Sequence, residues 1–271
     1  PRRFTPSAYC QAVARLPESF FYLLQVLVTG RVRDDRAEDR WRGHRLFLID
    51  GSSVSMPDTP DLQAAFGQPA GQKPGCGFPV AHLMALFDAR TGCLLTTVLA
   101  PLRTHDLAHA AATHPEMRPG DVLVGDRAFG SFAHLALLRR RGLHGVLRAH
   151  QRRPVGAAND RRVSYPKPAE RPTWMTADEY AALPAAVPVR EVRVRVRTPG
   201  RRVRHLVLVT TLLDLRRYPR RELARVYERR WQVEVNLRSL KTTLGMDVLR
   251  SKTADGVRKE VRVFGVAYNL V

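Results

Sequence analysis

Short aliphatic runs that stop at an acidic residue are the clearest pattern along the chain. The run LFLI precedes Asp50, and the run VLVG precedes Asp126. Continuous aliphatic runs bounded by turn residues are typical of central strands in an α/β sheet, whose neighbours lie about 4.8 Å apart. Two acids at the ends of such strands can share a cation. Taken singly, each aspartate is better explained as a strand-end cap or an Asx turn than as a metal ligand.

The chain before and after Asp50 predicts two helices and then an antiparallel unit. Residues 5–30 predict two helices separated at Pro17, and residues 31–45 a charged connector. A second strand is predicted at 52–56, and a hairpin over 80–102 completes a three-stranded antiparallel unit. The expected apolar face of the second helix consists of Phe20, Phe21, Leu24 and Leu27.

On either side of Asp126 the pattern predicts further helices and a strand. Residues 105–114 predict a helix with His105 and His109 one turn apart. Because no third ligand is near in sequence, we interpret this pair as a partly exposed helix face rather than a metal site. Residues 131–141 predict an amphipathic helix, and residues 146–149 predict a short edge strand.

The segment 151–205 is rich in proline and ends in an alternating pattern of valine and arginine. Arg193, Arg195 and Arg197 alternate with valines, which predicts a strand with one buried and one charged face. Residues 198–201 supply Pro and Gly for a type II turn, so a β-hairpin is expected. Its arginines form either an ordinary solvated face or a platform for the DNA backbone. Within the segment, Thr176 and Glu179 predict a capping box.

A long helix is predicted from Arg220 to Leu244, between Pro219 and Gly245. Residues at offsets of 3, 7 and 14 fall on one stripe of this helix at about 100° per residue, and they are Tyr227, Arg230, Glu234 and Lys241. The neighbouring apolar stripe, which anchors the helix, is Val226, Val233, Leu237 and Leu240. A carboxylate between cationic groups suits a metal site beside a phosphate. The alternative is a solvated face with helix ion pairs.

This pattern resembles the DDE-type insertion-sequence transposases, in the branch with the signature Y-x2-R-x3-E-x6-K (insertion sequence family 4). Tyr227, Arg230, Glu234 and Lys241 match the signature with every spacing kept. The likeness extends to FLIDGSSVSMPDTP, GDVLVGDRAF and LVTTLLD, in the family's order, and covers most of the chain. Any one of these blocks alone is a weak signal, whereas the ordered set is specific.

The resemblance implies an RNase H-like α/β fold, in which helices flank a mixed five-stranded sheet and a β-rich subdomain is inserted before the Glu-bearing helix. We therefore expect an N-terminal helical segment at 1–44, the first part of the core at 45–150, the insertion at 151–215 and C-terminal core helices at 216–271. The chain begins at Pro1 and stops within an apolar pattern typical of a continuing helix. We accordingly expect a fragment of a longer protein.

The resemblance also implies a chemistry and its partners. The implied catalytic and metal-binding residues are Asp50, Asp126 and Glu234. The implied phosphate contacts are Tyr227, Arg230 and Lys241. The implied activity is cleavage at transposon ends and strand transfer into target DNA, with two Mg²⁺ ions for which Mn²⁺ can substitute. Double-stranded DNA and a second copy of the chain, in a synaptic homodimer, are the implied partners.

The charge of the chain agrees with a polyanionic partner. Lys and Arg number 45 against 25 Asp and Glu, which gives a net charge of +20, and the isoelectric point is about 11.1. Such a balance is typical of proteins that bind nucleic acid, although an arginine-rich composition can also reflect a GC-rich genome. A membrane partner is disfavoured because the best apolar stretch, Phe20 to Val28, is far shorter than the ~20 residues of a span.

Two further function classes are disfavoured by the motifs that are missing. The loop PAGQKPGCGFP is rich in glycine but lacks the Walker pattern, which argues against a nucleotide-driven motor. Cys10, Cys76 and Cys93 form no C-x-x-C pair, which argues against zinc and a disulfide framework. We expect a protein of the bacterial cytoplasm, associated with the nucleoid when it binds DNA.

Two alternatives stay open. One is a catalytically silent or domesticated DNA-binding relative, although decay should erode acidic positions and spacings, and the signature retains both. The other is a different nuclease of RNase H-like fold, such as a Holliday-junction or RNA-hybrid cutter. The spacing of the Tyr-Arg-Glu-Lys signature argues against that nuclease, and a strand-transfer assay with tagged DNA ends separates the two activities.

Overall fold

The computed structural model describes residues 5–32, 37–73, 77–102, 104, 106–150, 158–196 and 204–271. In these residues eight strands form one sheet in the order β3-β2-β1-β4-β5-β8-β7-β6. The strands are β1 Leu46–Ser55, β2 Val80–Asp88, β3 Leu94–Pro101, β4 Val122–Gly125, β5 His144–Arg148, β6 Asp160–Pro166, β7 Ala186–Val196 and β8 Arg204–Thr210. The α-helices are α1 Pro6–Arg15, α2 Glu18–Val32, α3 Pro60–Phe66, α4 Asp106–Thr113, α5 Phe132–Arg140, α6 Ala177–Ala181, α7 Arg220–Glu228, α8 Trp231–Arg238 and α9 Ala254–Leu270.

The first five strands form a mixed sheet. β1, β2 and β3 are antiparallel neighbours, as the predicted hairpin requires. β4 pairs in parallel with β1, and β5 pairs in parallel with β4. The crossovers run through α4 and α5, because parallel neighbours need a long connection. This arrangement confirms the predicted RNase H-like sheet with flanking helices.

The sheet is wider than predicted, because β5 is an interior strand and not an edge strand. β8 pairs antiparallel with β5, from Val146 opposite Thr210 to Arg148 opposite Leu208. β7 pairs with β8, and β6 pairs with β7. The β-rich segment therefore extends the same sheet to eight strands. Its strands satisfy hydrogen-bonding groups that β5 would otherwise leave unpaired at an edge.

Helices cover both faces of the sheet. One buried layer includes residues of α7, α8 and α9, and the other includes residues of α4 and α5. The predicted capping box of Thr176 and Glu179 is present at the start of α6. No helix in the part of the chain that the structure describes combines the length and apolar character that crossing a bilayer requires.

β1 is one long strand, and the prediction that it ends at Asp50 is wrong. β2 accompanies it from Phe47 opposite Asp88 to Ser55 opposite Val80, so the ladder continues through Gly51. The neighbour on the other side, β4, pairs only as far as Leu48. Asp50 therefore lies inside β1 but just beyond the end of that parallel neighbour, where one flank of the strand is open.

The predicted helix 220–244 is interrupted. α7 ends at Glu228, α8 begins at Trp231, and a π-helical turn follows at Ser239–Thr243. At the break, hydrogen bonds with three-residue spacing replace those with four-residue spacing, including Arg230 N–H to Tyr227 O at 3.0 Å. Both linking residues keep right-handed helical angles, so the chain direction changes little.

The predicted apolar face of α2 is confirmed at Phe21 but wrong at Phe20, Leu24 and Leu27. The buried residues are Phe21, Gln25 and Thr29, whereas Phe20 and Leu27 are exposed. The side-chain amide of Gln25 donates to Leu94 O and Leu95 O at 3.3 and 3.2 Å. β3 lies at one edge of the sheet, and its outward peptide groups need partners. Polar side chains at the α2 interface supply them.

Candidate active site

Asp50 and Asp126 lie side by side on one face of the sheet. Leu48 is paired with Val124 across β1 and β4. Asp50 lies two residues after Leu48, and Asp126 lies two residues after Val124. Leu48 and Val124 belong to the same buried layer. Since side chains alternate along a strand, both aspartates project to that face, toward α7 and α8.

Asp50 is partly buried and surrounded by charge. Its Oδ1 accepts a hydrogen bond from Gly51 N–H at 2.9 Å, and its Oδ2 lies 3.7 Å from an Arg230 nitrogen. Burial raises the pKa of Asp50 to about 6, and the negative charges of Asp126 and Glu234 add to this effect. The Gly51 hydrogen bond and Arg230 oppose the rise in pKa. The carboxylate is thus held in a site that penalises its negative charge.

Glu234 approaches from α8 and is paired with Arg230. The guanidinium donates to Oε1 of Glu234 at 2.6 Å, one helical turn away. Arg230 therefore lies between Glu234 and Asp50. Burial alone would lower the pKa of Arg230, but the hydrogen bond to Glu234 and the neighbouring charges, including Asp126, raise it overall. The guanidinium is a permanent cation among the three acids.

Tyr227 reaches Asp126 from α7. Its hydroxyl lies 3.4 Å from Oδ1 of Asp126, and the residue is only 4% exposed. Burial, followed by the charge of Asp126, raises the pKa of Tyr227 well above its usual range. The hydroxyl therefore stays protonated and acts as a donor.

Arg148 is a site residue that the sequence analysis missed. One of its guanidinium nitrogens lies 3.9 Å from Oδ1 of Asp126. Gly125 and Leu147 are paired across β4 and β5, so the next residues along both strands are Asp126 and Arg148. A search for charged residues at the ends of successive parallel strands would have found it.

Lys241 lies in the π-helical turn, next to β1. Its Nζ donates to Oγ of Ser52 at 3.1 Å. Ser52 follows Asp50 by two residues on the same strand, so it faces the same side of the sheet. Ser52 was not singled out from the sequence, although the alternation along β1 is the signal that identifies it.

The remaining candidate residues lie elsewhere. Arg193 and Arg195 are exposed on β7, whereas Arg197 and the predicted turn at 198–201 lie outside the described residues. His105 also lies outside them. Its partner His109 contacts Oγ1 of Thr104 at 2.8 Å.

The acids form a loose group rather than a closed metal site. Within the ranges that the structure describes, no three His, Cys, Asp or Glu side chains are gathered closely enough to hold a metal ion. The guanidinium of Arg230 lies between two of the acids. Carboxylate oxygens are the ligands that a hard divalent cation prefers. Burial, with a smaller contribution from the charges of Asp126 and Glu234, raises the pKa of Asp50, and a bound cation would offset this effect.

Comparisons with known proteins agree on one family. A family model described as "Transposase DDE domain" matches residues 41–270. The transposase InsG for insertion sequence element IS4 of Escherichia coli (strain K12) is 23% identical over 279 residues, which cover 98% of this chain and 60% of InsG. The putative transposase InsZ of the same strain is 34% identical over 125 residues, which cover 45% of this chain and 41% of InsZ. The chain thus spans less than two thirds of either relative.

A solved structure gives a weaker likeness. A piggyBac transposase chain, in a cryo-electron-microscopy structure of its synaptic complex with hairpin DNA, superimposes with a TM-score of 0.43 and 10% identity. The superposition covers 93% of this chain and 64% of the piggyBac chain.

Proposed function

The chain belongs to the transposase DDE domain family, and we propose that it is the catalytic part of a DNA transposase. Its reaction is cleavage of DNA at transposon ends and strand transfer into target DNA. The observation that carries the proposal is the convergence of three acids that are distant in sequence. Arg230 lies 3.7 Å from Asp50 and 2.6 Å from Glu234, and Asp126 follows the strand beside Asp50 and lies 3.4 Å from Tyr227.

We assign catalysis to Asp50, Asp126 and Glu234, as ligands of two Mg²⁺ ions or of Mn²⁺. When bound, such ions activate an attacking hydroxyl and stabilise the leaving oxygen. Asp50 and Asp126 offer oxygens from adjacent strands. Glu234 completes the set once its carboxylate is released by Arg230, whose hydrogen bond at 2.6 Å occupies Oε1.

The cationic and hydroxyl groups around the acids bind DNA phosphates in this proposal. A guanidinium matches two phosphate oxygens at once, so Arg230 orients the phosphate, whereas Lys241 attracts it as a point charge. Tyr227 donates its hydroxyl hydrogen. Arg148, which lies 3.9 Å from Asp126, adds a second guanidinium at the edge of the site.

The reaction has two displacement steps at phosphorus. Water attacks the phosphodiester at the transposon end, the P–O3′ bond breaks, and a free 3′-hydroxyl and a 5′-phosphate result. The 3′-hydroxyl then attacks a target phosphodiester, which forms a new P–O3′ bond and releases a target 3′-hydroxyl. Neither step requires a covalent intermediate with the protein.

We also propose the partners and the domain division expected from the family resemblance. Double-stranded DNA is the substrate, and the net charge of +20 supports binding to it. Arg193, Arg195 and Arg197 belong to the DNA-binding surface. A homodimer brings two transposon ends together, and the segment 151–215 is an insertion into a catalytic core of residues 45–150 and 216–271.

The decisive experiment is a cleavage assay on a labelled duplex that carries the inverted repeats flanking the gene. We expect Mg²⁺-dependent cleavage and strand transfer by the unaltered chain, and no cleavage by Asp50→Asn, Asp126→Asn or Glu234→Gln. DNA binding should persist in all three variants. The exposed Glu170 offers a matched control, and Glu170→Gln should cleave normally.

Each other outcome of this assay rejects part of the proposal. Cleavage without strand transfer would indicate a different nuclease, and DNA binding without either would indicate a silent relative. Full cleavage by one of the three variants would remove that residue from the triad.

A further inference from the structure

Two histidines are buried on the side of the sheet that α4 and α5 cover, opposite the carboxylates. His114, which follows α4, is 1% exposed, and His134 in α5 is 0% exposed. Their Nε2 atoms are 3.0 Å apart, and their rings stack with centroids 5.1 Å apart. We propose that this pair positions Asp126 by holding the turn that follows it. The inference rests on the proposed function and extends it to residues that touch neither metal nor DNA.

Asp126 stands at the start of a single helical turn, Arg127–Phe129. Within the described residues of this turn its carboxylate makes no capping hydrogen bond, so its oxygens stay available to the active site. The backbone closes the turn instead. Phe129 N–H donates to Asp126 O at 3.1 Å, and Gly130 N–H donates to Arg127 O at 3.2 Å. The direction of the carboxylate therefore depends on what fixes Phe129.

His134 supplies the hydrogen bond that fixes Phe129 from the core. Its Nδ1 lies 2.7 Å from Phe129 O, and because a carbonyl only accepts, Nδ1 carries the proton. Nε2 of His134 is then an acceptor, and Nε2–H of His114 donates to it. Burial lowers the pKa of His114 and of His134, so both rings are neutral at neutral pH. Three hydrogen bonds with fixed donors thus connect His114 to the backbone of Asp126.

Two glycines show how closely this turn fits the ends of β4 and β5. A Cβ at Gly125 would lie 2.8 Å from Cδ2 of Phe129, and a Cβ at Gly130 would lie 2.8 Å from Arg148 O. The ring of Phe129 therefore packs directly against β4 beside Asp126, and the end of the turn packs against β5 beside Arg148. The position of Phe129 thus sets that of the carboxylate and that of the guanidinium 3.9 Å from it.

Geometry explains a polar pair at this place better than stability does. Two buried imidazoles gain little over apolar side chains of similar size, because desolvation offsets most of their hydrogen-bond energy. Their hydrogen bonds are directional, however, and a satisfied buried network fixes one conformation. Groups that orient a metal ligand act in this way, and their replacement typically costs about 10- to 100-fold in metal affinity or activity.

The test separates the hydrogen bond to Phe129 from the volume of the side chain. His134→Leu fills a similar volume and removes the donor, whereas His134→Asn places an amide N–H near the position of Nδ1. Gln25→Leu is the control, because Gln25 is also buried and donates to two carbonyls, but on β3, three strands from β4. Calorimetry measures Mn²⁺ affinity without DNA, a cleavage assay measures kcat and KM, and hydrogen exchange measures protection of the amides at 126–130.

For His134→Leu we expect losses of about tenfold in Mn²⁺ affinity and in kcat. KM for an end duplex should not change, because the groups that bind phosphate are untouched. The amides of Phe129 and Gly130 should exchange faster. His134→Asn should recover most of these losses. Gln25→Leu should lower the free energy of unfolding but leave Mn²⁺ affinity, kcat and exchange at 126–130 unchanged.

Unchanged Mn²⁺ affinity and kcat in His134→Leu would overturn the inference, and equal losses in Gln25→Leu would do the same by tracing them to stability. If His134→Leu does not fold, His114→Leu removes only the outer hydrogen bond. It should lower Mn²⁺ affinity and kcat by a smaller factor, and unchanged values would overturn the role of the pair.

The proposed function fails separately. An unaltered chain that neither binds Mn²⁺ nor cleaves DNA would reject the transposase reaction. The exchange of the Phe129 amide then decides whether the histidines hold the turn: faster exchange in His134→Leu supports this, and equal exchange overturns it.

Discussion

Arg230 donates a 2.6 Å hydrogen bond to Glu234, while its other terminal nitrogen lies 3.7 Å from Asp50. A divalent ion shared by these two acids would have to occupy the position of this guanidinium and replace its positive charge. The absence of a closed three-acid cluster among the described residues agrees with that arrangement. In the proposed site, Arg230 and a metal ion would compete for the same carboxylates, and a DNA phosphate that draws Arg230 away would favour the metal.

Replacement of Arg230 should strengthen metal binding in the absence of DNA. For Arg230→Gln we expect Mn²⁺ affinity to rise on the order of tenfold, because one nearby positive charge is lost. Isothermal titration calorimetry measures this directly. Arg225→Gln, on the exposed side of α7, loses the same charge and should change little. Weaker Mn²⁺ binding by Arg230→Gln would contradict the competition.

The ionised carboxylate of Asp50 should lower the free energy of unfolding at neutral pH. Its folded pKa of about 6 exceeds the unfolded value near 3.9, so the folded state binds more protons between those limits. The free energy of unfolding therefore falls as pH rises through this window. Asp50→Asn, which resembles the protonated form, should be more stable by on the order of 2 kcal/mol at pH 7.5.

Urea denaturation of both proteins at two pH values measures this difference. Below pH about 4 the advantage of Asp50→Asn should vanish, because the native carboxyl is then protonated in both states. An advantage that is the same at both pH values would assign the effect to packing instead.

The buried pair of His114 and His134 should make the protein sensitive to acid. Their Nε2 atoms are 3.0 Å apart, and Nδ1 of His134 lies 2.7 Å from Phe129 O. Burial lowers the pKa of His114 to about 2 and that of His134 to about 4. Nδ1–H of His134 donates to the carbonyl, so Nε2–H of His114 donates to His134, and both rings are neutral.

Stability should fall as pH drops below about 6.5, where the unfolded histidines gain protons that the folded ones reject. The sign is opposite to that for Asp50. We expect a double variant, His114→Leu with His134→Leu, to lose most of this slope between pH 6.5 and 4 in thermal or urea melts. A slope that survives in the double variant would place the acid sensitivity elsewhere.

Lys241 should contribute to DNA affinity without acting on the metal. For Lys241→Ala we expect the salt dependence of end binding to lose about 0.9 in slope, as one phosphate contact disappears. Mn²⁺ affinity should not fall. Lys252 is exposed, and Lys252→Ala serves as the matched control. Normal end affinity for Lys241→Ala would exclude a phosphate contact.

Regular periodicity made part of this site predictable. Side chains alternate along β1 and β4, so two acids just beyond a paired position had to share a face. The polar stripe of Tyr227, Arg230 and Lys241 also survives, because the break between α7 and α8 keeps helical angles. The helical stripe depends on neighbours that are close in sequence, whereas the shared face of the two acids also needs the long-range pairing of β1 with β4.

The features that the sequence did not predict depend on distant neighbours. β8 pairs with β5 across a long insertion, and no local pattern in either strand specifies that partner. The buried face of α2 is polar at Gln25 because the edge of β3 needs hydrogen-bond donors. A prediction from periodicity alone places only apolar side chains on the buried face. The position of Arg230 between two acids required the helix and the sheet together.

The amides beside β3 limit how this sheet can associate. Leu94 N–H donates to Asn269 Oδ1 at 2.8 Å, and Leu94 O accepts from the amides of Asn269 and Gln25. An incoming strand at that position would find both peptide groups already engaged. Side-chain amides from α2 and α9 thus block strand addition at Leu94. They prevent edge-to-edge polymerisation at this position although no further strand covers the edge.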